Sequence, residues 1–299
     1  MRPAVDVVVP FLGDEPALLA LVERLRNLSL GPGDSLVVVD NRPPGASPAP
    51  APGIVRAPER QSSYHARNRG AARGRAPWLL FLDADVLAPS DLLDRYFSEP
   101  VDAATAVLAG RIKDVEPEGR LGVAARYAQL TRPLNDDNTW RPGFAYAQTA
   151  SATVRRSAFE AVGGFAEVRS GGDADLCFRI ADAGWRMERR PQAVVEHRSR
   201  ASMRGLVRQY VRYGSGSGWL DARYPGFNAP RPARSVLAYL VRGELAAARA
   251  LVRGDRDGAL RQAIDPICAT AFAIGRRLPN GAGPSPSDGR RPGVALADG

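Results

Sequence analysis

The sequence has 299 residues, 44% hydrophobic and 24% charged. This composition is typical of a soluble globular protein, with enough chain for one large domain or two smaller ones. No stretch approaches the ~20 consecutive apolar residues of a membrane span. The apolar run at the N-terminus is too short for a signal peptide, so we expect a cytoplasmic protein. The two cysteines, Cys177 and Cys268, lack CxxC spacing, which argues against a disulfide framework and a zinc site.

The net charge of +9 is concentrated near the C-terminus. Residues 200–278 contain 14 Arg and 5 acidic residues, and this excess of nine equals the net charge of the whole chain. A basic segment of this kind indicates an anionic partner, such as a phosphorylated substrate, an acidic membrane surface or a nucleic acid.

The first half of the chain alternates β-branched runs with helix-like stretches, which is typical of an α/β domain. We predict strands over residues 5–10, 35–40, 78–83 and 105–112. The segment after the first strand has apolar residues at helical spacing, with Asp14 placed to cap it, so the chain begins with a βαβ unit. Residues 61–75 are predicted to form a second, polar-faced helix, and residues 43–53 a Pro-rich surface loop.

Acidic residues stand at the carboxyl ends of two of these strands. Asp40 ends one strand, and Asp83 and Asp85 follow another. In an open, mostly parallel sheet the ligand crevice lies outside those ends, so we expect the three carboxylates to converge on one site. The alternative is that each one caps a following helix or turn. The motifs GxGxxG and GxxxxGK[ST] are missing, which argues against a dinucleotide fold and a P-loop.

The triplet Asp-Ala-Asp occurs twice, at residues 83–85 and 173–175. The first triplet continues an extended strand, so Asp83 and Asp85 project to the same side. Two carboxylates this close repel each other unless a cation compensates. Mg²⁺ or Mn²⁺ suits oxygen ligands and keeps positions open for phosphate. The first triplet therefore predicts a divalent-metal site beside a diphosphate, where a Lewis acid would assist its departure.

The second triplet opens a helix. Leu176 and Ile180 follow it at helical spacing, and two glycines precede it. Residues i and i+2 of a helix lie about 200° apart, so Asp173 and Asp175 cannot share a ligand. We expect one of them to face a cleft and the other to serve the helix by pairing with Arg179 at i+4. A plain N-cap is the alternative for Asp173.

Eight short motifs follow one another in a recognisable order. They are VVVP, VVVDN, ARNRG, LLFLDADV, VRRSAFEAVGGF, GGDADLCFR, AGWRM and VVEH. This order resembles that of the family 2 glycosyltransferases, over residues 5 to about 215. The resemblance implies the GT-A fold, an α/β architecture with a Rossmann-like mixed sheet flanked by helices, here followed by a basic helical extension. It also implies an inverting enzyme that transfers a sugar from a nucleotide-sugar donor to an acceptor hydroxyl.

The resemblance also implies a donor site. Asp40 would accept a hydrogen bond from the nucleotide base, in a pocket begun by Pro10 and Phe11. Arg67 and Asn68, in ARNRG, would lie beside the donor on their helix.

The remaining implied roles concern the metal and the proton. Asp83 would contact the ribose of the nucleotide. Asp85 would bind Mg²⁺ or Mn²⁺, and His197 would complete the metal site. Asp173 would act as the general base that takes the proton from the acceptor hydroxyl.

The chain departs from the family pattern in two ways. Relatives usually carry Glu-Asp where this chain has Gly172-Asp173, which removes a carboxylate beside the base. The Gln-x-x-Arg-Trp motif and the membrane spans of processive members are also missing. We therefore expect transfer of a single sugar per encounter.

The basic C-terminal part is predicted to be helical. Arginines recur every fourth residue from Arg200 to Arg212, which predicts an amphipathic helix that ends at the flexible sequence YGSGSG, 213–218. A second helix is predicted over residues 235–254. These helices either pack on the catalytic domain with solvated arginines, or dock residues 200–254 on the anionic inner face of the cell membrane. Nucleic acid is not expected as a partner, because no binding module accompanies the charge.

These patterns divide the chain into a catalytic domain, residues 1–218, a helical extension, residues 219–278, and a tail, residues 279–299, with the composition of disordered chain. The acceptor would be a lipid-linked or small molecule. One alternative is a sugar-phosphate nucleotidyltransferase, for which we expect a Gly-rich basic loop where this chain has PFLGDEP. Another is a non-catalytic carbohydrate-binding descendant of the fold, favoured by Gly172 alone.

Overall fold

The computed structural model describes residues 2–46, 53–115, 122–131, 136–198, 202–229 and 233–281. Within these ranges one sheet contains the strands β1 Val5–Phe11, β2 Ser35–Asp40, β3 Ile54–Arg56, β4 Trp78–Leu82, β5 Val86–Leu87, β6 Thr105–Val115, β7 Ser151–Arg155 and β8 Arg186–Arg198. The α-helices are α1 Glu15–Leu25, α2 Ser63–Ala71, α3 Leu92–Tyr96, α4 Val123–Thr131, α5 Arg156–Ala161, α6 Gly172–Asp182, α7 Met203–Arg223, α8 Ala233–Val252 and α9 Arg256–Gly275.

The sheet is mixed, with the strand order β3-β2-β1-β4-β7-β6-β8-β5. The first four strands in this order are parallel to one another. β7 is antiparallel to both of its neighbours, and β8 is parallel to β6 but antiparallel to β5. The four predicted strands are β1, β2, β4 and β6, so the α/β class and the mixed sheet are confirmed. The other strands, β3, β5, β7 and β8, are not among the four predicted ranges.

Alternate residues of the central strands enter two hydrophobic cores, one on each face of the sheet. Val8 and Phe81 belong to one core, and Val7, Val9 and Leu80 belong to the other. Full burial of such side chains contributes roughly 1.5–3 kcal/mol each. This packing fixes β1 and β4 side by side, so that their carboxyl ends lie at one edge.

The N-terminal caps of the first two helices are also informative. Asp14 caps α1, as predicted, by accepting a hydrogen bond from the backbone N–H of Ala17 at 2.9 Å. Ser62 caps α2 through the backbone N–H groups of Tyr64 and His65. The caps set where each helix begins and therefore which side chains it presents to the edge of the sheet.

The prediction that the first basic helix ends at YGSGSG is wrong. α7 begins after the cap Ser202 and continues through residues 213–218 to Arg223. Two glycines of this stretch, Gly214 and Gly218, allow close packing against α9 and its C-cap Arg276. A Cβ atom on Gly218 would lie 2.6 Å from the carbonyl oxygen of Arg276, which no real Cβ tolerates. Glycine therefore provides close helix packing here, because its missing side chain lets the two backbones approach.

The second basic helix is confirmed as α8, and α9 packs on it and on α7. The expected domain boundary at residue 218 falls inside α7, and the division of the chain into domains stays a prediction. Arg200 and residues 282–299 of the predicted tail lie outside the described residues. The start of that tail is ordered, since Asn280 is buried and its amide donates to the carbonyl oxygen of Ser170 at 2.8 Å. Across the described ranges, every helix is too short or too polar to span a bilayer.

Candidate active site

A cavity of about 740 Å³ opens at the carboxyl ends of β1 and β4. The N-terminal ends of α2 and α6, the middle of α7 and the segment before β7, within residues 138–150, also line it. The cavity brings together seven of the nine residues predicted for the site: Pro10, Phe11, Arg67, Asp83, Asp85, Asp173 and His197. The crevice expected at this edge of the sheet therefore exists, and it contains both carboxylates of the first triplet.

Asp40 does not line the cavity. Its carboxylate is fully buried and accepts two hydrogen bonds from the Arg42 guanidinium, both at 2.9 Å, and one from Arg56 at 2.7 Å. Burial opposes ionisation, but these arginines outweigh it and lower the pKa of Asp40. Asp40 thus stabilises the end of β2 in this structure, and its contact with a nucleotide base stays a prediction.

Asn68 also lies outside the cavity. Its amide nitrogen donates to the carbonyl oxygen of Phe165 at 2.9 Å, and its amide oxygen accepts from the Phe165 N–H at 2.9 Å. These two bonds hold the loop after α5 against α2.

The neighbouring residue, Arg67, reaches the cavity and forms an ion pair with Asp83. Its guanidinium is almost fully buried, and Arg67 Nε has no hydrogen-bond partner among the described residues. A buried donor without a partner is unfavourable, so a ligand that accepts a hydrogen bond here would be stabilised.

The candidate metal site is built by strand pairing. β5 begins directly after Asp85 and pairs with β8, which places Val86 opposite His197. β6 pairs with the other edge of β8 and places Asp114 opposite the same histidine. As a result, His197 Nε2 lies 3.5 Å from Asp85 Oδ2, and His197 Nδ1 lies 3.0 Å from Asp114 Oδ1.

Two carboxylates determine the charge of this imidazole. Burial disfavours its protonated form, but the hydrogen bonds to Asp114 and Asp85 outweigh burial and raise the pKa of His197 to about 9. A metal ion bound at Nε2 would therefore have to replace a proton. Asp114 holds Nδ1 and leaves Nε2 on the cavity side, which is the usual support for a ligating histidine.

The donor set fits a divalent ion whose coordination the substrate completes. His197 Nε2 and Asp85 Oδ2 offer one nitrogen and one oxygen ligand. Throughout the described ranges, His, Cys, Asp and Glu side chains form no group of three or more at metal-binding spacing. A hard cation such as Mg²⁺ or Mn²⁺ commonly takes one or two protein ligands and fills its other positions with phosphate oxygens and water.

The second triplet separates its two carboxylates as predicted. Asp173 lines the cavity, and its Oδ1 accepts hydrogen bonds from the backbone N–H of Ala174 at 3.0 Å and from the Tyr64 hydroxyl at 3.2 Å. Burial raises the pKa of Asp173. The N-cap of α6 is Gly171, in a left-handed conformation with φ 83°, so Asp173 is not a plain N-cap.

Asp175 points away from the cavity and is fully buried. Its Oδ2 lies 2.8 Å from Arg179, which confirms the predicted i+4 pair. Its Oδ1 accepts from the Tyr224 hydroxyl at 2.8 Å and lies 3.1 Å from Arg223. Asp175 therefore joins α6 to the end of α7.

Sequence reasoning missed Tyr64 and Asp114. Tyr64 lies 109 residues from Asp173, and Asp114 lies 83 residues from His197. No local motif marks either of them. The only sequence signal for Asp114 was its position just beyond the predicted strand over residues 105–112. That position indicates His197 as a partner only when the pairing of this strand with its neighbour is known.

Comparison with known proteins agrees with this geometry. Residues 6–163, more than half of the chain, match the model of a family described as glycosyl transferase family 2. The pre-mycofactocin glycosyltransferases of two strains of Mycobacterium tuberculosis, CDC 1551 / Oshkosh and ATCC 25618 / H37Rv, are each 32% identical over 241 residues. That match covers 76% of this chain, which spans about half the length of these relatives, at 49%.

Two more distant proteins extend the comparison. The succinoglycan biosynthesis protein ExoA of Rhizobium meliloti (strain 1021) is 27% identical over 228 residues, covering 70% of this chain and 68% of ExoA. A mannosyltransferase from Pyrobaculum calidifontis, solved in complex with GDP-Man and Mn²⁺, shares the fold with a TM-score of 0.58 at 21% identity. That match covers 92% of this chain and 88% of the mannosyltransferase, so the expected GT-A fold is confirmed. From the family match and the two mycobacterial relatives, the chain belongs to glycosyl transferase family 2.

Proposed function

We propose that this protein is an inverting glycosyltransferase that moves one sugar per encounter from a nucleotide-sugar donor to an acceptor hydroxyl, with Mg²⁺ or Mn²⁺ bound at Asp85 and His197. The supporting observation is a single cavity that contains both the Asp85–His197 pair and the separate carboxylate of Asp173. The distant structural relative holds GDP-Man and Mn²⁺, a ligand pair of the proposed chemistry.

The donor would occupy the side of the cavity formed by the ends of β1 and β4. Pro10 and Phe11 supply an apolar wall for the nucleotide, and Asp83 accepts hydrogen bonds from the ribose. Arg67, whose side chain lines the cavity beside Asp83, donates to the donor's phosphate groups. A bound divalent ion would offset the negative charge on the departing diphosphate.

Asp173 would act on the acceptor side. A sugar or alcohol hydroxyl is a weak nucleophile and needs a positioned base as it attacks the anomeric carbon. Both hydrogen bonds to Asp173 go to Oδ1, so Oδ2 takes the proton. One direct displacement assisted by one base inverts the anomeric configuration. Because only the ionised carboxylate accepts a proton, activity should fall as the pH drops through the raised pKa of Asp173.

A sugar-phosphate nucleotidyltransferase is less well supported. The residues after β1 that line the cavity are Leu12, Gly13 and Ala17, which provide no basic side chain for a triphosphate substrate.

Thermal unfolding with a panel of nucleotide sugars tests the proposal, because a ligand bound only by the folded state stabilises it, by ~2.7 kcal/mol at 100 times Kd. We expect one donor to raise Tm in the presence of Mn²⁺ and not with EDTA. Asp85→Ala should remove the metal-dependent part of the shift, while the control Asp182→Ala, an exposed position on α6, should keep it. A wild-type protein that no nucleotide sugar stabilises would contradict the proposal.

We further propose that α8 docks on an anionic membrane, where a lipid-linked acceptor would be available. Val241, Leu245 and Val252 share one face of α8 and are 58%, 55% and 90% exposed. Arg242, Arg249 and Arg253 are also exposed, each one residue after a position on that apolar face, and therefore flank it. Apolar insertion combined with basic residues favours an anionic bilayer. The alternative is a small soluble acceptor and a helix that remains in solvent.

Vesicle sedimentation separates these two interpretations. Vesicles containing phosphatidylglycerol should bind the protein and pure phosphatidylcholine vesicles should not. Leu245→Ser combined with Val252→Ser should release it. The control Leu19→Ser changes a leucine of α1 that is 50% exposed and should not affect binding. Equal binding to both kinds of vesicle, or none, would contradict membrane docking.

A further inference from the structure

Tyr64 on α2 and Gly172 on α6 are in direct contact. A Cβ atom on residue 172 would lie 2.9 to 3.0 Å from three carbon atoms of the Tyr64 ring. The ring is buried and packs against Phe165, with ring centroids 5.4 Å apart, so it has little room to move aside. The Tyr64 ring thus occupies the space that any side chain at position 172 would need.

The hydroxyl of the same tyrosine binds Asp173. It donates to Oδ1, the oxygen that also accepts from the Ala174 N–H, and the two bonds fix the orientation of the carboxylate. Burial, and next the charge of Asp173, raises the pKa of Tyr64 well above its usual range. The phenol therefore keeps its proton and remains a donor throughout the pH range in which an enzyme works.

We propose that Tyr64 is the positioning residue for Asp173, and that glycine is required at position 172 because the Tyr64 ring fills that space. Tyr64 orients Oδ2 toward the acceptor and stabilises the ionised carboxylate. This inference rests on the proposed role of Asp173 as the base.

Other groups around Asp173 act together with this hydrogen bond. On α2, the Arg67 guanidinium stabilises the ionised form of Asp173 and lies over the Tyr64 ring, 5.4 Å from its centroid. On α7, the positive charge of Arg212 favours the ionised form of Tyr64 and so partly offsets the rise in its pKa. The negative charge of Asp173 contributes to raising the pKa of two further groups. They are the phenol of Tyr146, on the loop before β7, and the thiol of Cys177, on α6. Tyr64 is the only one of these groups that donates a hydrogen bond to Asp173 in the described residues.

Tyr64→Phe removes the hydroxyl and keeps the ring. Loss of a donor to the carboxylate raises the pKa of Asp173 further, so the acidic limb of the pH profile of kcat should move to higher pH. We expect kcat at neutral pH to fall roughly tenfold, a change that corresponds to ~1.4 kcal/mol. The KM for the donor should stay the same, since the Tyr64 hydroxyl binds Asp173 and not the carboxylates Asp83 and Asp85 that would bind the donor.

Gly172→Ala tests the steric half of the proposal. It should lower kcat in the wild-type background, because the new methyl group displaces the Tyr64 ring. In a Tyr64→Ala background, where the ring is missing, Gly172→Ala should have almost no further effect on kcat. This non-additivity is the expected result for two residues in contact. Equal effects of Gly172→Ala in both backgrounds would overturn the steric claim.

Tyr96→Phe is the matched control for folding. Tyr96 is fully buried and its hydroxyl shares a 2.7 Å hydrogen bond with Ser151, and neither residue lines the cavity. Loss of this hydroxyl should lower Tm comparably to Tyr64→Phe but leave the pH profile of kcat unchanged.

If Asp173→Asn abolishes transfer while Tyr64→Phe changes neither kcat nor the acidic limb, the inference about Tyr64 fails and the proposed function stands. If Asp173→Asn retains full transfer, the proposed base itself fails.

Discussion

The two Asp-Ala-Asp triplets have the same sequence and opposite arrangements. At residues 83–85 the predicted continuation of the extended strand is wrong, because Ala84 and Asp85 form a turn between β4 and β5. Both carboxylates nevertheless line the cavity, with side chains 37% and 52% exposed. At residues 173–175 the helix turns the two carboxylates apart, so that Asp173 lines the cavity while Asp175 is fully buried. The secondary structure that carries an acidic pair therefore decides whether it can act on one ligand.

The two carboxylates of the second triplet also differ in how their charges are compensated. Asp175 is surrounded by Arg179, Arg223 and Tyr224, which compensate its charge. Asp173 accepts hydrogen bonds from the Tyr64 hydroxyl and a backbone N–H and lies near the charge of Arg67, but burial outweighs these groups and raises its pKa. We therefore expect Asp175 to stabilise the fold and Asp173 to reduce its stability while serving the reaction.

The largest effect on stability is expected for Asp175→Asn. Removing one member of a buried ion pair leaves the remaining charges uncompensated and typically costs ~3 kcal/mol. Urea unfolding should show this loss, whereas the control Asp182→Asn, at the exposed end of α6, should stay within about 0.5 kcal/mol of wild type. A loss below about 1 kcal/mol for Asp175→Asn would mean that Arg179 and Arg223 do not hold the two helices together.

An intermediate effect is expected for Asp114→Asn, beside the first triplet. This carboxylate contributes to raising the pKa of His197 to about 9, so its removal should lower that pKa by at least one pH unit, or ~1.4 kcal/mol. An NMR titration of the metal-free protein measures it directly, with His65, the other histidine of the chain, as an internal reference. An unchanged titration of His197 would show that Asp114 does not determine its protonation.

The smallest effect is a pH dependence of stability caused by Asp173. Its pKa is raised in the folded state, so the folded protein holds this proton more tightly than the unfolded chain does. Stability is therefore lost as the pH rises from the ordinary aspartate value of 3.8 through the raised pKa. Asp173→Asn has no carboxylate to ionise at this position. Over the same pH interval its Tm should therefore rise relative to that of wild type. A difference in Tm that is constant with pH, or one of opposite sign, would contradict the burial of a charged Asp173.

The sequence predicted those parts of the fold that local patterns determine. β1, β2, β4 and β6 are hydrophobic runs of sufficient length, and α1 has both an apolar face and the cap Asp14. The separation of Asp173 and Asp175 followed from helix geometry alone. In each case the signal lies within one turn or one strand of the residues concerned.

Features that depend on contacts between distant segments were not predicted. β5 is two residues long and exists because β8 pairs with it, and only that pairing brings His197 to Asp85. The glycines at residues 213–218 suggested flexibility, yet Gly214 and Gly218 allow α7 to pack closely on α9 and its C-cap. In the sequence, Gly172 likewise stood out only because relatives carry a carboxylate at that position. The residue that we infer to require glycine there, Tyr64, lies on another helix.

We propose that the first triplet binds the donor and its metal and that the second triplet supplies the base that removes the proton. This division of roles is the centre of our account. It is tested most directly by measuring sugar transfer and Mn²⁺-dependent donor binding on Asp85→Ala and Asp173→Asn, with the donor found by thermal unfolding. We predict that Asp85→Ala loses metal-dependent donor binding, whereas Asp173→Asn binds donor as wild type does but transfers sugar ~10³-fold more slowly, within the range typical of a lost general base. Wild-type transfer by Asp173→Asn, or an equal loss of donor binding in both variants, would contradict this division.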